Sequence, residues 1–93
     1  MGAIKTWETG GNQSIVSGAA VQLTSSTTEC RRGIVVRANA ANTEVIYVGE
    51  VGVSATTGFE LSAGDSVVLP VLSADEVYAI SAAGTQSACF VIV

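Results

Sequence analysis

Thr43–Pro70 reads TEVIYVGEVGVSATTGFELSAGDSVVLP, and the fold class turns on this stretch. Val45, Ile46, Tyr47 and Val48 are β-formers on both faces of an extended segment, so Glu44 to Gly49 is expected as a central or doubly covered strand. Gly49, Gly52 and Gly58 punctuate a Ser/Thr-rich run that reads as a loop, with a bulge expected at Gly52. Phe59-Glu60-Leu61 is a short strand with Phe59 and Leu61 inward. Ser62 to Asp65 is a turn in which Gly64 supplies a positive φ. Ser66 to Leu72 then alternates Val67, Leu69 and Val71 against Val68, Pro70 and Leu72. Pro70 has no amide proton to donate, so this strand lies at a sheet edge or ends there.

The same reading extends outward. Upstream, Ala20 to Thr24 alternates as a strand, Ser25 to Glu29 is a polar connection, and Arg32 to Ala38 sets Ile34 and Val36 on one face against Val35 and Arg37. Asn39 to Thr43 is a turn. Downstream, Ser73 to Glu76 is a turn and Val77 to Ser81 a strand. A hairpin-like connection with Gly84 runs from Ala82 to Ser87. Ala88 to Val93 is a strand apolar on both faces, expected to be paired centrally or buried between subunits. No segment sustains a 3.6-residue period. Turns recur about every ten residues, which predicts a small β-sandwich or barrel of about seven short antiparallel strands over residues 20–93. Gly49, Gly52, Gly58, Gly64 and Gly84 are the fold-defining turns of this reading.

Residues 1–19 read as an extended, flexible N-terminal arm. Gly10 to Ser14 and Ser17 to Ala19 are its flexible runs, and Ile4, Trp7, Ile15 and Val16 its anchors. Trp7 is the only tryptophan. It is either an exposed residue of a frayed end or the anchor of an arm that docks on a neighbouring subunit or host surface.

Composition narrows the function classes. Hydrophobic residues make up 48% of the 93 and charged residues only 13%, with a mean hydropathy of +0.51. A small monomer carries a more charged surface than this. No run approaches the roughly 20 apolar residues of a membrane helix, so the apolar excess points to protein partners, and self-association is expected. Eight acidic residues stand against four basic ones, which argues against nucleic acid. The basic cluster Arg31-Arg32, flanked by Glu29, is read as an interface rim or as a solvated strand entrance. No apolar leader segment opens the chain, so synthesis and retention in the cytosol are expected. Cys30 and Cys89 are then expected as reduced thiols that behave as small apolar groups.

Catalysis finds little support. The chain has no histidine, which removes triads and most zinc sites. Its carboxylates fall mostly beside turns or strand ends and lack the dense spacing of a calcium loop. Gly49-Glu50-Val51-Gly52 has neither the lysine nor the following helix of a phosphate loop. No enzyme activity, metal or cofactor is expected. A ligand-binding sandwich is the non-catalytic rival, but four of the five aromatic residues (Tyr47, Phe59, Tyr78 and Phe90) fall in predicted strands and read as core.

Two segments carry a resemblance. In the first, Ile46-Tyr47-Val48-Gly49 is followed by Gly52-Val53, Thr57-Gly58-Phe59, Leu61, Gly64, Ser66 and Leu69-Pro70. In the second, Val77-Tyr78 is followed by Ile80 and Ala83-Gly84. Residues 20–93 thereby resemble small bacteriophage virion β-domains, most of all head decoration (cement) proteins. The resemblance implies a non-enzymatic protein of the virion, made in the host cytoplasm, that binds the major capsid protein on the outer surface of the assembled head. It implies a homotrimer, with no nucleic-acid or membrane partner. Residues 1–19 would clamp neighbouring capsid subunits, with Ile4, Trp7, Ile15, Val16, Arg31 and Arg32 as interface residues. The alternative is a tail, fibre or baseplate module that binds a receptor or glycan through the Gly49–Gly58 loop. The motif positions are turn glycines and core apolar residues, so they transfer a fold and no active site.

Overall fold

The computed structural model describes residues 8–25 and 27–92. Among the described residues eight strands form: β1 (Glu8–Ile15), β2 (Val21–Gln22), β3 (Ile34–Ala38), β4 (Ile46–Gly49), β5 (Phe59–Leu61), β6 (Ser66–Leu69), β7 (Tyr78–Ser81) and β8 (Gln86–Ile92). A 3-10 turn, Ala74–Glu76, precedes β7. The strands make two four-stranded sheets, in the orders β1-β8-β3-β6 and β2-β7-β4-β5. Every pairing is antiparallel. The expected small antiparallel β-sandwich is therefore what the chain forms.

The pairings are nested. β4 pairs with β5, β3 with β6, β2 with β7 and β1 with β8. The chain is in effect one long hairpin, rolled up so that β3 also meets β8 and β4 also meets β7. This is the jelly-roll arrangement of two interlocked Greek keys.

Alternation explains the layers. β8 reads buried and half-buried in strict succession, and Ala88, Phe90 and Ile92 face the core. Ile34, Val36 and Ala38 of β3 do the same, against Ile46 and Val48 of β4 and Ala79 of β7. Ile15, Leu23, Cys30, Leu61, Ala74 and Val77 complete the cluster. Among the described residues Phe90 is its only aromatic, so there the two sheets meet over mostly aliphatic and small side chains. Two strand expectations hold: β8 is central in its sheet, and β6 is an edge strand that stops at Leu69, immediately before Pro70.

Four expectations need correction. The first concerns residues 1–19. Glu8–Ile15 is a strand on β8, and the Gly10 to Ser14 run read as flexible lies within it. A bulge between Gly10 and Gln13 absorbs one extra residue. A side chain at Gly10 would overlap the Phe90 ring, so the glycine that disguises the strand is the one that admits the ring. Second, the Ala82 to Ser87 connection is no hairpin, because β7 and β8 belong to different sheets and Gln86 and Ser87 already lie in β8. Third, Gly52 sits in a turn closed by the Val53 N–H donating to the Glu50 carbonyl (3.0 Å), and the bulge is at β1 instead. Fourth, of the four strand aromatics only Phe90 is core. Tyr47 and Tyr78 are half-buried and Phe59 is 56% exposed, because β5 is an edge strand.

The two ends of the sandwich differ. At one end the β3–β4 connection is bonded to the start of β8. Thr43 N–H donates to Gln86 Oε1 (2.9 Å), Gln86 Nε2 donates to the Ala83 carbonyl (3.0 Å), and the Asn42 side chain pairs with the Ser87 backbone in both directions (2.9 Å each). Gln86 is buried, and these bonds are what allow a polar side chain there. At the other end, the β2–β3 and β6–β7 connections are tied by backbone. Cys30 N–H donates to the Leu72 carbonyl (2.8 Å) and Ala74 N–H to the Thr28 carbonyl (3.1 Å).

Candidate functional site

The second end carries an open groove of about 680 Å³. Leu69, Pro70 and Val71, where β6 runs out, form its apolar wall. Gly49, Glu50, Val51 and Thr57 contribute from the β4–β5 loop, with Glu76 and Tyr78 from the start of β7. The register explains the meeting. Gly49 is paired with Tyr78 across the β4–β7 ladder, so the loop after β4 and the residue before β7 share one end of the sandwich. Pro70 ends the edge strand and turns the chain across that end.

The β4–β5 loop is ordered by its own bonds. Val53 is buried under it. Gly58 N–H donates to the Ser54 carbonyl (2.8 Å), Ser54 N–H donates to Thr57 Oγ1 (3.0 Å), and the Ser54 hydroxyl lies 3.0 Å from that of Thr56. Gly58 itself is required by packing, since a Cβ there would lie 2.6 Å from Tyr47 Cβ and 2.7 Å from Val53 Cγ2.

Glu50 and Glu76 put two carboxylates in the groove lining, and among the described residues the lining contains no cation. Among the described residues no group of three or more Cys, Asp or Glu side chains is placed to hold a metal. The chemistry on offer is recognition: an apolar wall, one phenol ring and two negative charges, suited to a ligand that is partly apolar and partly cationic.

Among the described residues four large apolar side chains are exposed: Val51 (70%), Phe59 (56%), Val68 (57%) and Leu72 (75%). All lie between β4 and β7, on or beside the edge strands β5 and β6. On the outer face of the first sheet, Val68 aligns with Val35 and Val35 with Val91, so an apolar row runs inward from the exposed edge.

The interface residues expected from sequence are not brought together. Ile4 and Trp7 lie outside the described residues. Ile15 is fully buried in the core, which corrects its assignment to an interface; it closes β1 opposite Gln86. Val16 is half-buried and accepts a hydrogen bond from Ser81 N–H (3.0 Å). Arg31 and Arg32 are exposed at the other end, beside the start of β3. Of the turn glycines, Gly52, Gly64 and Gly84 take positive φ, whereas Gly49 and Gly58 serve close packing. Cys30 and Cys89 are not joined in a disulfide; Cys30 is core, and Cys89 is half-buried on the outer face of β8.

Sequence reading missed the groove because its wall and its loop are separated along the chain. The Gly49–Gly58 loop was the detectable half. Compared with protein-family models, curated proteins and solved structures, the chain matches none.

Proposed function

We propose that this chain is a bacteriophage head decoration protein, a non-enzymatic β-domain that binds the major capsid protein on the assembled shell and stabilises it by mass action. The observation that carries this reading is the placement of Val51, Phe59, Val68 and Leu72. Among the described residues of a domain with 13% charged residues, the large exposed apolar groups lie on or beside the edge strands β5 and β6, the pattern of a surface completed by another protein. The sequence resemblance supplies the particle, and it also supplies the homotrimer as the favoured assembly. The jelly roll is compatible with this role, although the same architecture hosts many others.

The decisive measurement is copy number in purified particles, by quantitative mass spectrometry against the major capsid protein. A ratio near one per capsid subunit supports decoration. A handful of copies per particle supports the second reading, a tail or fibre module, which the groove beside the Gly49–Gly58 loop favours. Absence from particles removes both. Light scattering of the purified chain tests the trimer.

A double substitution tests the surface itself. Phe59→Ser with Leu72→Ser should leave folding within about 0.5 kcal/mol per site, since both side chains are exposed. It should weaken particle binding about tenfold or more, as expected for the loss of two apolar contacts at an interface. Unchanged occupancy on particles would remove this edge from the proposal.

A further inference from the structure

We infer that the exposed edge of β6 is a twofold contact between two copies of this chain. The contact does not depend on the capsid reading, and it joins copies in pairs whether each stands alone or belongs to a trimer. Among the described residues the two sheets leave four edges, at β1, β6, β2 and β5. Three of them are blunted against pairing. β1 carries a bulge between Gly10 and Gln13, β2 is two residues long, and β5 is three residues long with Glu60 at its centre. β6 is Ser66-Val67-Val68-Leu69, uncharged, without glycine and in unbroken register with β3.

Backbone directions fix what that edge offers. Ala38 N–H donates to the Asp65 carbonyl (2.9 Å) and Asn39 N–H to the Ser87 carbonyl (3.0 Å), so successive residues of β3 face β6 and β8 in turn. Val36 and Ile34 share the direction of Ala38, and they lie opposite Val67 and Leu69. The N–H and carbonyl groups of Ser66 and Val68 therefore face outward. Val68 adds a side chain 57% exposed, at the end of the row Val91, Val35, Val68 on the outer face.

The edge complements itself. A twofold axis perpendicular to the sheet keeps the two faces aligned, so each residue meets one of its own face. With Val68 of one copy opposite Val68 of the other, the two valine rows join, Val67 meets Leu69, and Ser66 meets Pro70. Val68 exchanges both backbone bonds with its counterpart across the axis. Each Ser66 N–H reaches a Pro70 carbonyl, and proline ends the ladder there because it has no N–H to return. Centring the axis on Val67 would instead set the Asp65 carboxylate against Leu69. The contact is isologous and closes at two copies; the edges left outermost in the joined sheet, at β1, are the bulged ones.

Light scattering of the unaltered chain is compared with that of two variants. Val68→Pro removes an outward N–H and leaves the β3 ladder intact. Val68→Lys sets two like charges opposite each other across the axis, and as a change at an exposed side chain it supplies the test should the proline variant fail to fold by circular dichroism. The expected result is an even number of chains in the unaltered species and a mass at least twofold lower in the variants. Val68→Cys should also link two copies on mild oxidation, since Cα atoms at that position would lie about 5.5 Å apart. Mass spectrometry of the linked peptide distinguishes this bond from one made by Cys30 or Cys89. Val67→Cys, offset along the strands to roughly 8 Å, should not link. Equal masses for the unaltered and altered chains overturn the inference, as does linking through Val67→Cys in preference to Val68→Cys. Three chains in every species would uphold the trimer and overturn the edge contact. Two chains in the unaltered species and one in the variants would do the reverse.

Discussion

Gly33→Ala should lower the thermal midpoint by about 15 °C or more, the equivalent of about 3 kcal/mol in a domain of this size. Gly33 is buried at the start of β3 with φ +121, a conformation that L side chains rarely adopt. Backbone strain of that kind costs about 1–3 kcal/mol. A Cβ would in addition run into the Leu69 carbonyl oxygen and lie 3.1 Å from the carbonyl carbon. That obstacle is backbone, fixed by the β3–β6 ladder in which Ile34 faces Leu69, and it cannot swing aside as a side chain can. Gly18→Ala is the control. Gly18 has φ +90, and a Cβ there meets open space, so it should show the strain alone, about 1 kcal/mol. Equal shifts for the two variants, measured by calorimetry, would show that the approach of β3 to β6 is looser than described.

Gln86→Leu should destabilise the domain by about 2 kcal/mol. One side chain at the head of β8 accepts from Thr43 N–H and Glu44 N–H and donates to the Ala83 carbonyl and Thr43 Oγ1. Leucine matches its bulk but leaves these groups without their partners at the end where the β3–β4 connection meets β8. Ser87→Ala, the next residue along, should change stability by no more than about 0.5 kcal/mol, because Ser87 holds Asn42 through its backbone and not its hydroxyl. Urea midpoints of the two variants give the comparison. A Gln86→Leu chain as stable as the Ser87→Ala chain would show that the backbone bonds suffice to close this end.

Much of the sandwich is legible from period-2 patterning. β3 and β8 alternate cleanly, and Pro70 marks the limit of an edge strand. What the pattern conceals has local physical causes. β1 is hidden because its middle is Gly-Gly-Asn, and the reason for one of those glycines, the Phe90 ring, lies at the far end of the sequence. Phe59 shares the parity of the buried Leu61 yet stays exposed, since burial depends on what lies opposite as well as on alternation. Gly33 carries no turn signature, and its requirement comes from the Leu69 carbonyl. The groove was legible only as the Gly49–Gly58 loop. Its wall at Leu69–Val71 and its rim at Glu76 and Tyr78 are placed by pairings between distant segments, about which periodicity within a segment says nothing.

The nested pairing also sets an order of events. β4 and β5 are the one pair of consecutive strands that are also hydrogen-bonded neighbours, so closure there carries the smallest loop entropy and is the natural place for folding to begin. β1 and β3 do not touch in the finished sheet; β8 stands between them. A chain emerging from the ribosome can therefore assemble β4, β5, β3 and β6 early, but β1 has no partner until β8 has been made. During that interval the inner faces of β3 and β4 have no complete layer over them, and β3 has a bare edge. Folding in milliseconds to seconds is expected for such long-range topology, and the unfinished sheet is the species most exposed to mispairing between chains.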